Sequence, residues 1–461
     1  MSKFSLIYFL LWILLQVLVD VNCQSTPFKP NVIYRHTATF VDNKLYILGG
    51  KDVSNGTLVK RFFYLDVSVL YDTQLLSWQD LSNINIIPLH TDATSTKGGV
   101  NNDTLYLYGG ASSDKTMALV YTFDPNRTSW NPQKITMIRK WDLTGVVDSN
   151  GKFYLWGGVN DNVAVANDML ILDTTNLNLS EGSLVNAPTP RFHYGATLLP
   201  NNKIIYMGKP VIFIYFIHLG GTNDINFGKT LNLTKGALSL NEVYIYDTVN
   251  DNWDTKITMG EIPSKRVGFS TILGLDGQRI IIYGGYFNNP GYSNTTLYVL
   301  DLSNYNWYVP KISGKNPSSR TFHKANVIGK YMVISFGDGY DRKVESDILL
   351  LDISKNEEYI WTTKFDHSIS SPSYSPSTSS STLSPTLSPT LSQSPSSSPP
   401  LSLNIKLVGV IIGSLLSGIF LSVGVFFVYK WYKYRQQQKT IRENEFEKDI
   451  QISSLQKPMV C

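Results

Sequence analysis

The chain has 461 residues, of which 43% are hydrophobic, 12% aromatic and only 16% charged, a composition that favours strands and excludes a disordered or coiled-coil protein. The net charge of +4 comes from the two ends of the chain, because acidic and basic residues balance between residues 24 and 405. This balance excludes a nucleic-acid-binding protein, which would need a basic surface. Cys23 and Cys461 are the two cysteines, so the long segment between them has no disulfide framework, zinc cluster or cysteine nucleophile.

The first segment, residues 1–23, is typical of a secretory signal peptide. Lys3 precedes an apolar run that extends to Val19, and Val21 and Cys23 are small enough for a cleavage site. The polar residues that follow favour cleavage over the alternative, an uncleaved N-terminal anchor. We therefore expect the protein to enter the secretory pathway.

Residues 27–366 contain a repeated unit. An apolar strand that ends in two glycines recurs, and the last copy is degenerate. The copies are LYILGG at 45–50, LYLYGG at 105–110, FYLWGG at 153–158, IHLGG at 217–221, IIIYGG at 280–285 and VISFGDG at 333–339. The glycine pair removes side chains where the strand ends and the chain turns.

Each copy continues with a second apolar strand that ends in aspartate, and in most copies a tryptophan follows. The pairs are Asp72 and Trp78, Asp124 and Trp130, Asp247 and Trp253, and Asp301 and Trp307. The third copy has Leu179 in the tryptophan position, and in the sixth copy Trp361 comes later. An arginine opens most copies, and the second copy has His90 nearby instead. These arginines are Arg35, Arg139, Arg191, Arg266 and Arg320.

A period of about 50 residues with four strand-like pieces is typical of the blades of a β-propeller. A single antiparallel sheet has two faces to cover, and stacking on neighbouring sheets around an axis covers both. The tryptophan supplies a large apolar body that can pack between blades. The sequence therefore predicts an all-β propeller of four-stranded blades over residues 27–366.

The arginine, glycine-pair, aspartate and tryptophan positions together resemble the kelch repeat family. The resemblance covers residues 27–366 and implies a β-propeller of four-stranded blades. The sequence departs from the family pattern at His90, at Leu179 and in the Gly337–Gly339 spacing, which affects the blade boundaries rather than the fold. Six repeats suggest six blades, and a seventh, closed partly by residues 27–34, stays open at this point.

Galactose oxidase also carries a kelch-like propeller, so an oxidase is an alternative. The chemistry of that family uses copper held by His and Tyr, with a Tyr cross-linked to a Cys, and residues 24–460 contain no cysteine. The histidines form no recognisable copper ligand set, and His36, His193 and His323 follow an opening arginine as repeat positions do. Gly-x-Ser-x-Gly and phosphate-loop motifs are also absent. We therefore expect that the protein is not an enzyme and that it binds no cofactor and no metal ion.

The fourth copy departs from the others. IIYMG at 204–208 is followed by an apolar run, and only then by Gly220 and Gly221. Removal of residues 209–220 would restore a sequence that matches the other copies. The run is too short to span a membrane, and it would be an aggregation hazard if exposed. Two interpretations stay open: an unspliced in-frame intron and a genuine extra strand.

The two faces of the predicted propeller differ in their loops. Turns between the first and second strands and between the third and fourth strands share one face and are short. Loops between the second and third strands share the other face with the links between blades, and they are long. Long loops on a rigid scaffold often bind partners. The longest is 222–241.

The loop at 286–295 carries Tyr286, Phe287 and Tyr292 beside asparagine and glycine. Aromatic faces with amide partners suit a sugar ring or a protein hot spot, which makes these three the candidate ligand-binding residues. The alternative is that they cover the ends of their own blades.

The chain contains Asn-x-Ser/Thr sequences at about the frequency that chance gives, and they are glycan acceptors only if the chain is secreted. They lie at Asn55, Asn102, Asn126, Asn178, Asn232 and Asn294. Asn232 and Asn294 lie in the two loops just described, where attached glycans would block binding.

Three segments follow the repeats. Residues 367–404 are rich in Ser, Thr and Pro, which is typical of an O-glycosylated stalk. Residues 407–429 form an uncharged apolar run that is long enough to span a bilayer as a helix. Basic residues from Lys430 to Arg435 follow the run, and they predict that the tail, residues 430–461, is cytosolic. The sequence thus predicts a single-pass protein at the plasma membrane with its N-terminus outside.

Small residues spaced by four form two stripes on the predicted membrane helix. Such stripes let two helices approach closely and favour a homodimer, although small residues are also common in membrane helices generally. One stripe is Gly409, Gly413 and Ser417, and the other is Ser414, Gly418 and Ser422.

The sequence as a whole favours a cell-surface recognition or adhesion module that binds an extracellular protein or carbohydrate through its propeller loops. Two alternatives stay open: a secretory-pathway oxidase or glycan enzyme with an unrecognised site, and a structural protein of a surface coat. Nucleic acid is not an expected partner.

Overall fold

The computed structural model describes residues 27–366, with gaps at 137, 210–238, 286–296 and 340–343, together with Trp12. The predicted signal peptide, stalk, membrane helix with its dimer stripes, and tail lie outside this part of the chain and stay predictions. Within it, no helix is long and apolar enough to cross a membrane.

The described residues form six sheets that each contain four antiparallel strands, and the four strands follow one another in chain order. Blade 1 has Thr37–Val41, Lys44–Leu48, Phe62–Asp66 and Trp78–Asp80, and blade 2 has Thr94–Gly98, Thr104–Tyr108, Val120–Asp124 and Ser129–Gln133. Blade 3 has Val146–Val147, Lys152–Trp156, Met169–Asp173 and Leu179–Glu181, and blade 4 has Gly195–Leu198, Lys203–Lys209, Ser239–Asp247 and Asn252–Ile257. Blade 5 has Ser270–Leu273, Arg279–Tyr283, Leu297–Asp301 and Asn306–Tyr308, and blade 6 has Lys324–Ile328, Tyr331–Ser335, Ile348–Asp352 and Tyr359–Thr362.

The first strands of the six blades lie side by side around a central axis, and the first strand of blade 6 contacts that of blade 1. The prediction of an all-β propeller is therefore confirmed, with six blades. Residues 27–34 do not form a seventh blade, because Ile33–Tyr34 pairs with Lys51–Asp52 at the end of blade 1. The chain also adds a short parallel strand to the outer edges of blades 5 and 6, at Met259–Gly260 and Ile312–Ser313.

The glycine pair is the joint between neighbouring blades. The N–H of the second glycine donates to a carbonyl oxygen of the next blade; the bonds are Gly50 to His90, Gly110 to Lys140, Gly158 to Arg191, Gly285 to Arg320 and Gly337 to Ile33. The first glycine lies against the same stretch of the next blade: a Cβ on Gly109 would be 2.1 Å from the carbonyl oxygen of Lys140. The pair is needed for this close approach as well as for the turn that the sequence predicted.

The hydrophobic core lies mainly between blades. The indole of Trp253 in blade 4 packs 5.1 Å from that of Trp156 in blade 3, and its Nε1–H donates to the carbonyl of Ser183. In the same way Trp130 of blade 2 packs against Phe62 of blade 1. The predicted role of the tryptophan position is confirmed, and Leu179, which occupies it in blade 3, is 38% exposed.

An aspartate ends the third strand of every blade and begins the turn that follows. Its Oδ1 accepts the backbone N–H two residues later, a hydrogen bond that stabilises the turn. The six residues are Asp66, Asp124, Asp173, Asp247, Asp301 and Asp352.

Three sequence assignments were wrong in register. In blade 1 the aspartate that ends the third strand is Asp66 and not Asp72, because the connection 67–77 is long and pairs Tyr71–Asp72 with Lys364–Phe365 beyond blade 6. In blade 4 the second strand is Lys203–Lys209, so IHLGG at 217–221 does not end it. In blade 6 the pair is Phe336 and Gly337, both with positive φ, and not Gly337 and Gly339.

Candidate functional site

One residue at the start of each blade lies in a ring around the axis. All six have a left-handed backbone, with φ between 53° and 65°. Five of them come two residues before the first strand of their blade, and Asp142 comes four residues before it. The six residues are Arg35, Asp92, Asp142, His193, Gly268 and Phe322, and we call them the axial ring.

Five backbone hydrogen bonds join neighbouring members of the axial ring. Asp92 N donates to Arg35 O at 3.0 Å, Asp142 N to Asp92 O at 3.0 Å and His193 N to Asp142 O at 2.8 Å. Phe322 N donates to Gly268 O, and Arg35 N donates to Phe322 O at 2.9 Å, which joins the last blade to the first. These bonds hold the backbone of the ring in place and so fix the positions of its five side chains, since Gly268 has none.

The opening arginines occupy two different positions. Arg191, Arg266 and Arg320 lie two residues before the axial ring, are fully buried and donate to a carbonyl oxygen at the end of the second strand of their own blade. Lys140 and not Arg139 takes this place in blade 3, and its Nζ donates to Leu155 O at 2.8 Å. His90 takes it in blade 2, as the sequence suggested.

Arg35 is therefore not an opening arginine, because it lies in the axial ring itself and Ile33 holds the opening place in blade 1. His193 is likewise in the ring, whereas His36 and His323 lie one residue beyond it. The prediction that the three histidines share one repeat position was wrong for His193. The hydrogen bonds of His36 to Ser335 and of His323 to Ser270 fit a structural role.

Four members of the axial ring form a charged cluster. The guanidinium of Arg35 lies 3.0 Å from a carboxylate oxygen of Asp92 and 3.3 Å from one of Asp142, and it stacks 4.0 Å from the ring centre of Phe322. Nδ1 of His193 is 3.2 Å from Asp142. The side chains of the three charged residues and the histidine are each about nine-tenths buried.

The two carboxyl groups are hydrogen-bonded to each other and differ in acidity. Burial raises the pKa of Asp142 well above its usual range, and the negative charge of Asp92 adds to this effect. Burial also opposes the ionisation of Asp92, but the charge of Arg35 and the hydrogen bonds from Asp142 and Arg35 together outweigh burial and lower the pKa of Asp92 to about 2. The pair therefore holds one proton and one negative charge.

Burial and these charges also determine the pKa values of His193 and Lys324. Burial and the Arg35 charge lower the pKa of His193 to about 3, so its imidazole is neutral. Burial also lowers the pKa of Lys324, while Asp92 and Asp142 oppose that shift. Lys324 lies two residues after Phe322, at the start of the first strand of blade 6.

A cavity of about 50 Å³ opens beside this cluster. Its walls include the charged side chains Arg35, Asp92, Asp142 and Lys324, together with His193. Because the axial ring precedes the first strands, the cavity lies on the face that also carries the links between blades and the loops between the second and third strands. We call this the loop face.

Asp92, Asp142 and His193 place their potential ligand atoms within 4.8 Å of one another, a spacing that suits a metal ion. The guanidinium of Arg35 already contacts both carboxyl groups, and the cation of Lys324 lines the same cavity. A metal ion would have to compete with both positive charges, which makes the cluster unfavourable for metal binding.

The candidate ligand-binding residues Tyr286, Phe287 and Tyr292 lie outside the described residues, as do Asn232 and Asn294 and almost all of 209–220. Four of the predicted glycan acceptors are described, and each is exposed: Asn55, Asn102, Asn126 and Asn178. Asn55 lies on the loop face, and the other three lie in turns on the opposite face.

Sequence reasoning missed the axial cluster because its members come from different blades and no single residue type recurs at their position in every blade. The ring positions carry Arg, Asp, Asp, His, Gly and Phe in turn, so no motif marks them. A signal was nevertheless present in the sequence. When the repeats are aligned, the position two residues after the buried opening residue is polar in blades 1 to 4, which are consecutive.

The repeats match a known protein family. The model of the KLHDC2/KLHL20/DRC7 Kelch-repeats domain matches residues 35–215 and 215–384, which together cover most of the chain. The matched residues include the whole of the axial ring.

Curated relatives share this part of the chain. Acyl-CoA-binding domain-containing protein 4 of Arabidopsis thaliana is 22% identical over 357 residues, which are 71% of this chain and 46% of that protein. Kelch domain-containing protein 3 of Homo sapiens is 34% identical over 125 residues, 24% of this chain and 31% of that protein. The chain thus spans less than half the length of these relatives.

The solved structure of YjhT has the same fold, with a TM-score of 0.52, at 14% sequence identity; the match covers 73% of this chain and 99% of YjhT. Sequence repeats, six four-stranded blades joined at glycine pairs, and the family match agree with one another. The chain belongs to the kelch-repeat β-propeller family.

Proposed function

We propose that this protein is a cell-surface recognition module that binds a partner protein on its loop face. The observation that carries the proposal is the difference between the two faces. Within the described part of the chain, the loops between second and third strands cover 49–61, 109–119 and 157–168, whereas most connections on the other face are short, such as 42–43, 125–128 and 329–330.

Two further points support binding through this face. Kelch propellers typically mediate protein–protein interaction. Loops that vary in length on a rigid scaffold are where proteins generally place their binding residues, and the loop face surrounds the charged axial cavity.

The size of the axial cavity favours binding over catalysis. Pockets for small-molecule ligands usually enclose about 300–1,000 Å³, whereas this cavity has about 50 Å³. It can take one chemical group of a larger partner but not a whole sugar or cofactor. The extracellular location in the proposal rests on the apolar runs at 1–23 and 407–429.

Site-specific photo-cross-linking of the full chain on cells tests the proposal. Because residues 27–366 contain no cysteine, Lys115→Cys labels an exposed position on the loop face and Lys355→Cys labels one on the opposite face. We expect a benzophenone on Lys115→Cys to give protein adducts and one on Lys355→Cys to give none. Adducts from Lys355→Cys alone would contradict the proposal, and adducts from neither would favour a structural coat protein.

A further inference from the structure

The outer strand of blade 3 differs from those of the other blades. In the other five blades the tryptophan of the outer strand is buried, with between 1% and 8% of its surface exposed. In blade 3 Leu179 takes this position and is 38% exposed, and all three residues of the strand, Leu179–Glu181, are exposed. Blade 3 therefore presents an uncovered strand where the other blades bury a large side chain.

The backbone of this strand offers hydrogen-bonding groups at its outer side. The N–H of Gly182 donates to Met169 O of the third strand at 2.8 Å. Because backbone groups alternate in direction along an antiparallel strand, those of Ser180 also point to the third strand, and those of Leu179 and Glu181 point outward. Within the described residues no strand pairs with this side of blade 3. The edge is therefore open to a further strand.

The chain itself adds a parallel strand to the same edge of blades 5 and 6, and these two strands show what such an edge accepts. In both, a glycine lies against the carbonyl oxygen of the tryptophan of the outer strand. A Cβ on Gly260 would be 2.4 Å from Trp307 O, and one on Gly314 would be 2.2 Å from Trp361 O. An added strand therefore needs a glycine opposite the tryptophan position, which Leu179 holds in blade 3.

The link before blade 3 resembles the link that covers blade 5, but it lacks this glycine. Residues 256–259 read KITM and precede Gly260, whereas residues 134–137 read KITM and precede Ile138. A side chain does not fit where Gly260 approaches its carbonyl oxygen. In the structure, the carbonyl oxygen of Ile138 instead accepts a hydrogen bond from the hydroxyl of Tyr108 in blade 2. This link therefore does not cover blade 3 as its counterpart covers blade 5.

Two of the other open edges carry features that discourage an added strand. Pro132 of blade 2, which holds the same repeat position as Glu181, offers no N–H. The outer strand of blade 4 carries Asp254 and Lys256, which pair with each other at 2.7 Å. The exposed carboxylate of Glu181, in contrast, makes no ion pair within 4.0 Å in the part of the chain that the structure describes. The edge of blade 3 thus favours a strand that brings a basic residue.

We propose that the outer edge of blade 3, Leu179–Glu181, binds an extended segment of a partner protein as a fifth, parallel strand. The segment has an apolar residue shortly before a glycine, which lies opposite Leu179. A basic residue two places after the glycine lies on the same side of the sheet as Glu181 and is attracted by its charge. Blade 6 contains a pair of this kind, because Lys311 of its added strand lies 2.9 Å from Glu358. The site lies on the outer edge of the propeller, so it does not depend on binding at the loop face.

The test uses the full chain and a labelled peptide, Lys-Ile-Ser-Gly-Thr-Lys, whose first four residues are those of the strand that covers blade 6, at 311–314. Its last lysine comes two places after the glycine. Fluorescence anisotropy of the peptide measures binding. Glu181→Pro removes an outward N–H, as Pro132 does naturally in blade 2, and Thr255→Pro makes the same change at the same repeat position of blade 4 as a matched control.

We expect the wild type and Thr255→Pro to bind the peptide equally, and Glu181→Pro to bind it at least about tenfold more weakly, because a backbone donor is lost and the proline ring occupies the edge. Two altered peptides separate this effect from a change of fold. Replacement of the glycine by alanine should abolish binding to the wild type, and replacement of the last lysine by glutamate should weaken it at least about threefold.

Three results would overturn the proposal: no binding by the wild type, equal binding by Glu181→Pro, or equal binding of the alanine peptide. A dimer of the wild type that Glu181→Pro dissociates would assign the edge to a second copy of the chain and would also overturn it. Each of these results would leave the cross-linking result on the loop face intact.

Discussion

Trp253 is a single residue on which the joint between blades 3 and 4 depends. Its side chain is 3% exposed and packs against Trp156 and Tyr206. We expect Trp253→Ala to lower the free energy of unfolding by about 3–5 kcal/mol, because a large buried side chain is lost and a cavity remains. Urea unfolding of the two proteins, followed by fluorescence or circular dichroism, measures the difference.

Leu179 is a matched control for this prediction, since it holds the same repeat position in blade 3 and is 38% exposed. Leu179→Ala should change the free energy of unfolding by no more than about 0.5 kcal/mol. If the two substitutions lowered the free energy of unfolding equally, burial between blades would not be the source of the stability that the tryptophan provides.

His323 links stability to pH. Burial and the charges of Arg320 and Lys324 lower the pKa of His323 to about 3, whereas an unfolded chain has a histidine pKa of about 6.5. Between these two pKa values the unfolded state binds a proton at His323 and the folded state does not. The contribution of His323 to the free energy of unfolding is therefore fully present above about pH 6.5 and is lost as the pH falls towards 3. The loss is about 1.4 kcal/mol per pH unit.

The measurement is the slope of the unfolding free energy against pH between about 6 and 4.5. A His323→Gln variant should have a slope smaller by about 1.4 kcal/mol per unit, and its stability should not vary more steeply than the wild type above pH 7. Identical slopes in the two proteins would mean that His323 does not remain neutral in the folded state.

Single residues also mark the limit of what the sequence could predict about the site. The role of the glycine pair and of the tryptophan follows from residue type, because few other residues fit those places. The axial cluster does not, since Arg35 and Asp142 belong to different blades and come together only where the blades meet at the central axis. Their proximity is a property of the tertiary fold.

At the scale of elements, the second strand and its glycine pair determine how closely blades approach. Gly109 has a φ of 69°, and a Cβ there would lie 2.1 Å from the carbonyl oxygen of Lys140 in the next blade. We expect Gly109→Ala to cost about 2–5 kcal/mol, the sum of left-handed strain and of overpacking at the joint. Thermal and urea unfolding test this value.

Gly56 provides the control for the joint. It has a similar φ of 72°, but nothing lies within 4 Å of the position a Cβ would take. Gly56→Ala should therefore cost only the backbone strain, about 1–2 kcal/mol. If the two variants were equally stable, the approach of the next blade would not be the reason for the glycine pair.

The order and type of the strands could be predicted well because each is encoded locally. Apolar strands bounded by glycines, aspartates and polar turns gave the blades in the right order, and the family match confirms them. The predicted register was wrong at connections of unusual length. In the connection 67–77 of blade 1, the pairing of Tyr71–Asp72 with the distant Lys364–Phe365 determines the path of the chain. Local patterns carry no information about such pairings.

At the scale of the whole molecule, the predicted topology is open to a direct test. The basic cluster after residue 429 predicts an internal C-terminus, and the apolar run at 1–23 predicts an external N-terminus. An epitope inserted after Gln24 should bind antibody on intact cells, whereas one after Val460 should bind only after permeabilisation. The opposite pattern would show that the orientation is reversed.

The seam between blade 6 and blade 1 is built like the joints between blades 1 and 2, 2 and 3, 3 and 4, and 5 and 6. The backbone N–H of Gly337 donates to Ile33 O and that of Arg35 donates to Phe322 O, as the corresponding residues of those four joints do. Both ends of the propeller also pack on blade 1, where Phe28 contacts Phe63 and Phe365 stacks on Tyr71. The starting point of the chain is therefore arbitrary: a circular permutant with its old ends linked and new ends in the exposed turn at 125–128 should fold to the same six-bladed ring.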